Sequence, residues 1–66
     1  MSDHIRFRVS KYFSKPKEEY RWRAFSRATG DTYIATSREK LWDTIKEDLN
    51  AQNVYKRKGL WIVQLN

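Results

Sequence analysis

The stretch YRWRAFSR, Tyr20 to Arg27, alternates basic and aromatic side chains with almost nothing between them. Guanidinium groups grip phosphates through two parallel hydrogen bonds and match guanine edges. Aromatic rings stack on unpaired bases. Both residue types on one short segment point to polyanion recognition rather than to bond-making chemistry. In a strand, successive side chains point to opposite faces. Arg21, Arg23, Phe25 and Arg27 then share one face, and Tyr20, Trp22, Ala24 and Ser26 the other.

The same alternation occurs upstream. In HIRFRVSKYF, residues 4–13, Ile5, Phe7, Val9 and Phe13 fall on one side, and His4, Arg6, Arg8, Ser10 and Tyr12 on the other. This is the period of a half-buried strand. SKPKEE, with Pro16 among charged residues, reads as the loop between the two strands. A symmetrical loop sets Tyr12 opposite Arg21, Ser10 opposite Arg23, Arg8 opposite Phe25 and Arg6 opposite Arg27. The two apolar sets then meet on one face, whereas a slip of one residue would place arginines in the core. Lys15 and Lys17 in the loop are placed to clamp backbone phosphates.

Downstream, ATGD supplies a turn and DTYIAT a short third strand rich in β-branched residues. A three-residue ATG loop with a glycine bulge places Ile34 in the core and Tyr33 near Phe25 on the basic face. The period changes at Thr36. TSRE reads as a capping box from Thr36 to Glu39, and Leu41, Ile45 and Leu49 form the apolar stripe of a helix over about residues 37–51. Asn50 and Asn53 are its expected stops. Glu39, Asp43 and Glu47 give it an acidic outer stripe, expected to face away from nucleic acid. Lys56, Arg57 and Lys58 form a basic turn and a possible second patch. LWIVQL is apolar on both faces and suits a strand buried on both sides or covered by a partner chain.

These elements predict an α+β fold: a small antiparallel sheet of three to four strands with one helix on one face, in the order β-β-β-α-β. The helix covers the apolar face. The opposite face, carrying Arg6, Arg8, Tyr12, Arg21, Arg23, Phe25, Arg27 and Tyr33, is left open. The arrangement over about residues 4–51 is similar to the small DNA-binding domains at the amino end of some tyrosine integrases. It also resembles plant ethylene-response-factor DNA-binding domains. Element order and the basic sheet carry the likeness, which implies an exposed sheet working in the DNA major groove. The LWIVQL tail departs from that pattern.

The 66 residues carry 14 Lys/Arg and 8 Asp/Glu, a formal net charge of +6. The surplus sits in front: residues 1–27 hold eight cations against three acids, and residues 28–66 hold six against five. Such a front half favours nucleic acid, DNA before RNA. Catalysis is disfavoured: there is no Cys, and His4 is the single histidine. No metal-ligand spacing, phosphate loop or cofactor signature occurs. The stretch MSDHIRF lacks a basic region followed by an apolar run, so no secretory signal is expected. No apolar run has the length of a membrane span. A single intracellular domain, cytoplasmic or nucleoid-associated, is the expectation. The competing reading is a compact protein-interaction module that modulates or inhibits a larger partner, since Arg, Tyr and Trp dominate interface hot spots. Residues 60–65 would then add to a partner's sheet edge or pair with their own copy in a homodimer.

Overall fold

The computed structural model describes residues 4–66, so the first three residues of MSDHIRF lie outside it. Five strands and one helix follow in the order β1 (His4–Ser14), β2 (Glu19–Phe25), β3 (Thr32–Ala35), α1 (Arg38–Leu49), β4 (Ala51–Arg57) and β5 (Leu60–Leu65). The strands make one sheet in the order β3-β2-β1-β5-β4, every neighbouring pair antiparallel. The expected three to four strands in the order β-β-β-α-β are corrected to five in the order β-β-β-α-β-β. The residues before KRKG are a strand in their own right, and LWIVQL lies between β1 and β4. The sheet is therefore not a three-stranded unit with a tail. No helix among the described residues is long and apolar enough to cross a membrane.

The first hairpin has the register its two alternations require. Tyr12 faces Arg21, Ser10 faces Arg23 and Arg8 faces Phe25. Lys15 to Glu18 form the loop, closed by a hydrogen bond from Glu18 N to Lys15 O at 3.2 Å. Pro16 sits second in this turn, where its fixed φ fits. Ile5, Phe7, Val9 and Ala24 face the helix together with Trp61 and Val63, which β5 brings opposite Phe7 and Ile5.

The third strand differs from expectation by one residue. The loop is Arg27 to Gly30, closed by Ser26 N to Asp31 O at 3.0 Å and Gly30 N to Ser26 O at 2.7 Å, with Gly30 at φ 77°. Four loop residues in place of three reverse the parity of everything after them. Tyr33 pairs with Ala24 on the helix side, and Ile34 pairs with Arg23 on the open face, where it is 47% exposed. Tyr33 gains an edge-on contact with Phe7, ring centroids 5.8 Å apart, and a hydrogen bond to Asp48 of α1.

Helix α1 buries Leu41 and Ile45 and half-buries Leu49 and Trp42. Its N-cap is Ser37, whose hydroxyl accepts from Lys40 N at 3.1 Å, in place of the expected Thr36. Asn50 ends it in the left-handed conformation, φ 52° and ψ 47°, donating its N–H to Lys46 O. The helix leaves the sheet at edge strand β3 and returns at edge strand β4. Twelve helical residues span about 18 Å, and four interstrand steps of the sheet span about 19 Å. One helix is thus just long enough to carry the chain from one edge to the other across the apolar face.

Candidate nucleic-acid interface

The pleat decides what the uncovered face displays. β1 contributes Arg6, Arg8, Ser10 and Tyr12, and β2 contributes Arg21, Arg23 and Phe25. β5 adds Leu60 and Ile62, opposite Arg8 and Arg6. β4 adds Tyr55 and Arg57, opposite Ile62 and Leu60. β3 adds Thr32 and Ile34. The cations do not stand side by side in the ladder. Arg8 lies between Phe25 and Leu60, Arg23 between Ser10 and Ile34, and Arg6 opposite Ile62. Each aliphatic stem has an apolar or small neighbour to lie against, leaving the guanidinium outward. The Arg23 guanidinium sits 5.7 Å from the Tyr12 ring centroid.

Three shallow depressions tile this face and share residues. One is lined by Arg8, Ser10, Arg23, Phe25 and Thr32. The next has Arg6, Arg8, Phe25, Arg27 and Leu60. The third has His4, Arg6, Tyr55, Arg57 and Ile62. They form a continuous trough whose walls are guanidiniums and whose floor is apolar. Glu19, beyond Arg21 toward the turn, is the acid that β2 sends to this face. Its carboxylate lies 3.6 Å from Arg21 Nη2, the one ion pair among the described residues. Solvated sheets also carry arginines over apolar rows, but those commonly interleave both charge signs. Here Arg6, Arg8, Arg23 and Arg57 have no acid within ion-pair distance among the described residues.

Of the residues expected at the site, Arg6, Arg8, Tyr12, Arg21, Arg23 and Phe25 lie on this face, and Arg27 reaches its rim from the loop. Lys15 and Lys17 stand exposed in the turn at the far end of the hairpin. Tyr33 does not belong: it is on the helix side, half-buried, with its hydroxyl on Asp48. Burial and the adjoining Asp48 and Asp31 carboxylates push that hydroxyl up to about 12. The basic tripeptide is divided. Arg57 joins the open face, Lys56 turns to the helix side over the Trp61 ring at 5.0 Å, and Lys58 lies in the turn.

Tyr55, Leu60, Ile62 and Ile34 are additions to the expected site. The signal for Tyr55 was present as alternation in NVYKR, where Asn53, Tyr55 and Arg57 fall on one side. The two edges of β5 are hydrogen-bonded to β1 and β4. Residues 60–65 therefore offer no free strand edge for the expected addition to a partner's sheet or to a second copy.

From Tyr12 outward to Arg21 on the return, β1 and β2 pair only with each other, and the molecule measures 42 × 20 × 19 Å. Three residue pairs amount to about 10 Å of projecting ribbon before the turn. This arm carries Tyr12 and Arg21 on the open face, Lys15 and Lys17 at its tip, and Phe13 and Tyr20 on the helix side, 50% and 59% exposed. The chain matches no known family model, no curated protein and no solved structure.

Proposed function

We propose that the protein binds nucleic acid through the open face of its sheet and the arm that prolongs it, acting inside the cell as a regulatory or accessory factor. The observation that carries this reading is the composition of one face. Five arginines from three strands, Arg6, Arg8, Arg21, Arg23 and Arg57, share it with one acid at its margin.

The dimensions favour duplex DNA over RNA. A five-stranded face about 19 Å wide does not enter a B-DNA major groove about 12 Å wide and 8.5 Å deep, but a two-stranded ribbon does. The arm supplies that ribbon and about the reach the groove demands. With the arm in the groove, the arginines of the broad face meet the flanking phosphates. The major groove of A-form RNA is too deep and narrow for the same entry.

Fluorescence anisotropy with duplex DNA, single-stranded DNA and RNA, each at two salt concentrations, tests this directly. Duplex DNA is expected to bind best. The double variant Arg21→Glu, Arg23→Glu is expected to lose binding on the order of a hundredfold while keeping the circular dichroism of the parent. Equal binding of parent and variant to every probe would sink the proposal.

A second reading rests on a different feature of the same face: Ile34 is 47% and Tyr55 is 59% exposed. Apolar and aromatic groups among arginines also suit a protein partner that this chain modulates or inhibits. A stoichiometric protein recovered from nuclease-treated lysate, with no binding to purified nucleic acid, would establish that alternative.

A further inference from the structure

The helix does not cover the whole of its own side of the sheet. It begins at Arg38, beside the end of β3. Beyond its first turn, the helix-side surface runs from the β4–β5 turn across β1 and β2 and out along the arm. A groove there is lined by Val9, Trp22, Arg38, Lys58, Gly59 and Trp61, and by Arg57, which also lines the open face. Lys11, opposite Trp22 in the ladder, extends it toward the arm.

Cations and rings interlock along this surface. The Lys11 ammonium sits 4.7 Å from the Tyr20 ring centroid and 5.8 Å from that of Trp22. The Arg38 guanidinium lies 5.5 Å from the Trp22 ring, and the Lys56 ammonium 5.0 Å from the Trp61 ring. Tyr20 is followed by Phe13, ring centroids 5.2 Å apart and steeply inclined. Lys11, Arg38, Lys56 and Lys58 have no acid within ion-pair distance among the described residues. Each cation–ring contact is worth only about 0.5–1 kcal/mol at an exposed site. Such contacts hold the cations over the rings without neutralising them. Of the acids of the helix, Asp43 and Glu47 lie toward its C-terminal end, and Glu39 stands in the first turn beside Arg38 without an ion pair to it. On this side of the sheet a path of positive charge therefore leads from Lys58 past Trp22 to Lys11.

We infer that this groove is a second nucleic-acid site, which takes a segment of phosphodiester backbone on the face opposite the first, so that one chain holds two segments together. The inference rests on the nucleic-acid reading of the open face. Lys11, Arg38, Lys56 and Lys58 supply the phosphate contacts, and Trp22 supplies a ring face. The body of the sheet lies between the two sites, which meet at the β4–β5 turn, where Val9, Arg57 and Gly59 border both.

The test is capture of a fluorescent DNA by a biotinylated duplex immobilised on beads, with the full chain added. The fluorescent arm is run once as duplex and once as single strand, which identifies the form the groove prefers. The parent is expected to retain the fluorescent DNA. Lys11→Glu with Lys58→Glu, both exposed positions, is expected to reduce retention by on the order of tenfold while changing affinity for a single duplex less than about threefold. Circular dichroism of the variant checks that it folds. Arg8→Glu with Arg23→Glu is expected to abolish both readouts. If the parent binds one duplex but retains no second DNA of either form, the inference is wrong and the open-face reading survives. It is equally wrong if the Lys11, Lys58 variant retains as much as the parent, or loses single-duplex affinity in step with retention. Failure of the parent to bind any duplex overturns both readings.

Discussion

Tyr33 illustrates how a single side chain settles which face a strand shows. Its ring fills the space beside Phe7, and its hydroxyl donates to Asp48 across the gap between sheet and helix. The phenol proton is held more tightly in the folded chain than in the unfolded one, because burial and the nearby carboxylates disfavour the phenolate and raise its value to about 12. A raised folded value contributes stability that is complete below the unfolded value of about 10 and is lost as pH climbs through the folded one. Thermal melts are therefore expected to show a fall in stability between about pH 10 and 12. Tyr33→Phe is expected to remove that component and to cost about 1 kcal/mol at neutral pH, through the lost hydrogen bond. Absorbance at 295 nm offers an independent check, with the Tyr33 phenol expected to ionise near pH 12. A Tyr33→Phe variant that retained the parent's whole alkaline profile would assign the effect to other groups. Neither Tyr33's side of the sheet nor its bond to Asp48 was readable in DTYIAT. Tyr and Ile are both good strand residues, and the choice between them depended on whether the preceding loop held three residues or four.

At the scale of elements, what was legible is what two independent patterns determined together. β1 and β2 each alternate over at least seven residues, and only one register puts both apolar sets on one side. The helix was legible from its apolar stripe and its Asn50 stop, but the cap was not, because Thr36 and Ser37 are both good N-caps. The backbone chooses between them: Ser37 has the extended conformation, φ −143° and ψ 161°, and its hydroxyl accepts from Lys40 N. Ser37→Ala is accordingly expected to destabilise the protein by about 1 kcal/mol. Thr36→Ala is expected to change stability by less than about 0.5 kcal/mol, and urea denaturation of the pair measures the difference. A larger loss at Thr36 would return the cap to the capping-box reading. β4 was not told apart from the basic turn as a strand of its own because it is an edge strand. AQNVYKR has Val54 and Tyr55 as its only large apolar residues, and polar edge strands protect a sheet from pairing with others. With β4 unread, Tyr55 and Arg57 could not be assigned to the open face. The pairing of β5 with β1 joins opposite ends of the chain, and no local pattern encodes it.

For the molecule as a whole, the sheet keeps most of its acids off the open face. Asp31 and Asp48 gather around Tyr33, and Glu39, Asp43 and Glu47 line the helix, all on the covered side. The arginines of the open face, of which Arg21 alone has an acid within ion-pair distance among the described residues, are left to repel one another, and a domain of 66 residues has little core to spare against such repulsion. This arrangement gives salt two effects of opposite sign. Added salt screens the arginines from each other, since the Debye length falls to about 10 Å at 0.1 M, so the free protein is expected to melt slightly higher. The same salt weakens a complex held by phosphate contacts, because each contact releases condensed counterions on binding. Five contacts give a slope of log K against log salt near −4.5 on B-DNA, or a loss of about 500-fold between 50 and 200 mM. Melting curves and anisotropy titrations on one preparation measure both effects. A rise in melting temperature with a steep fall in affinity is the expected pair. Affinity that held steady across this range would mean that the arginines do not meet phosphates, and would leave the apolar floor of the trough, Phe25, Leu60 and Ile62, as the surface a partner contacts.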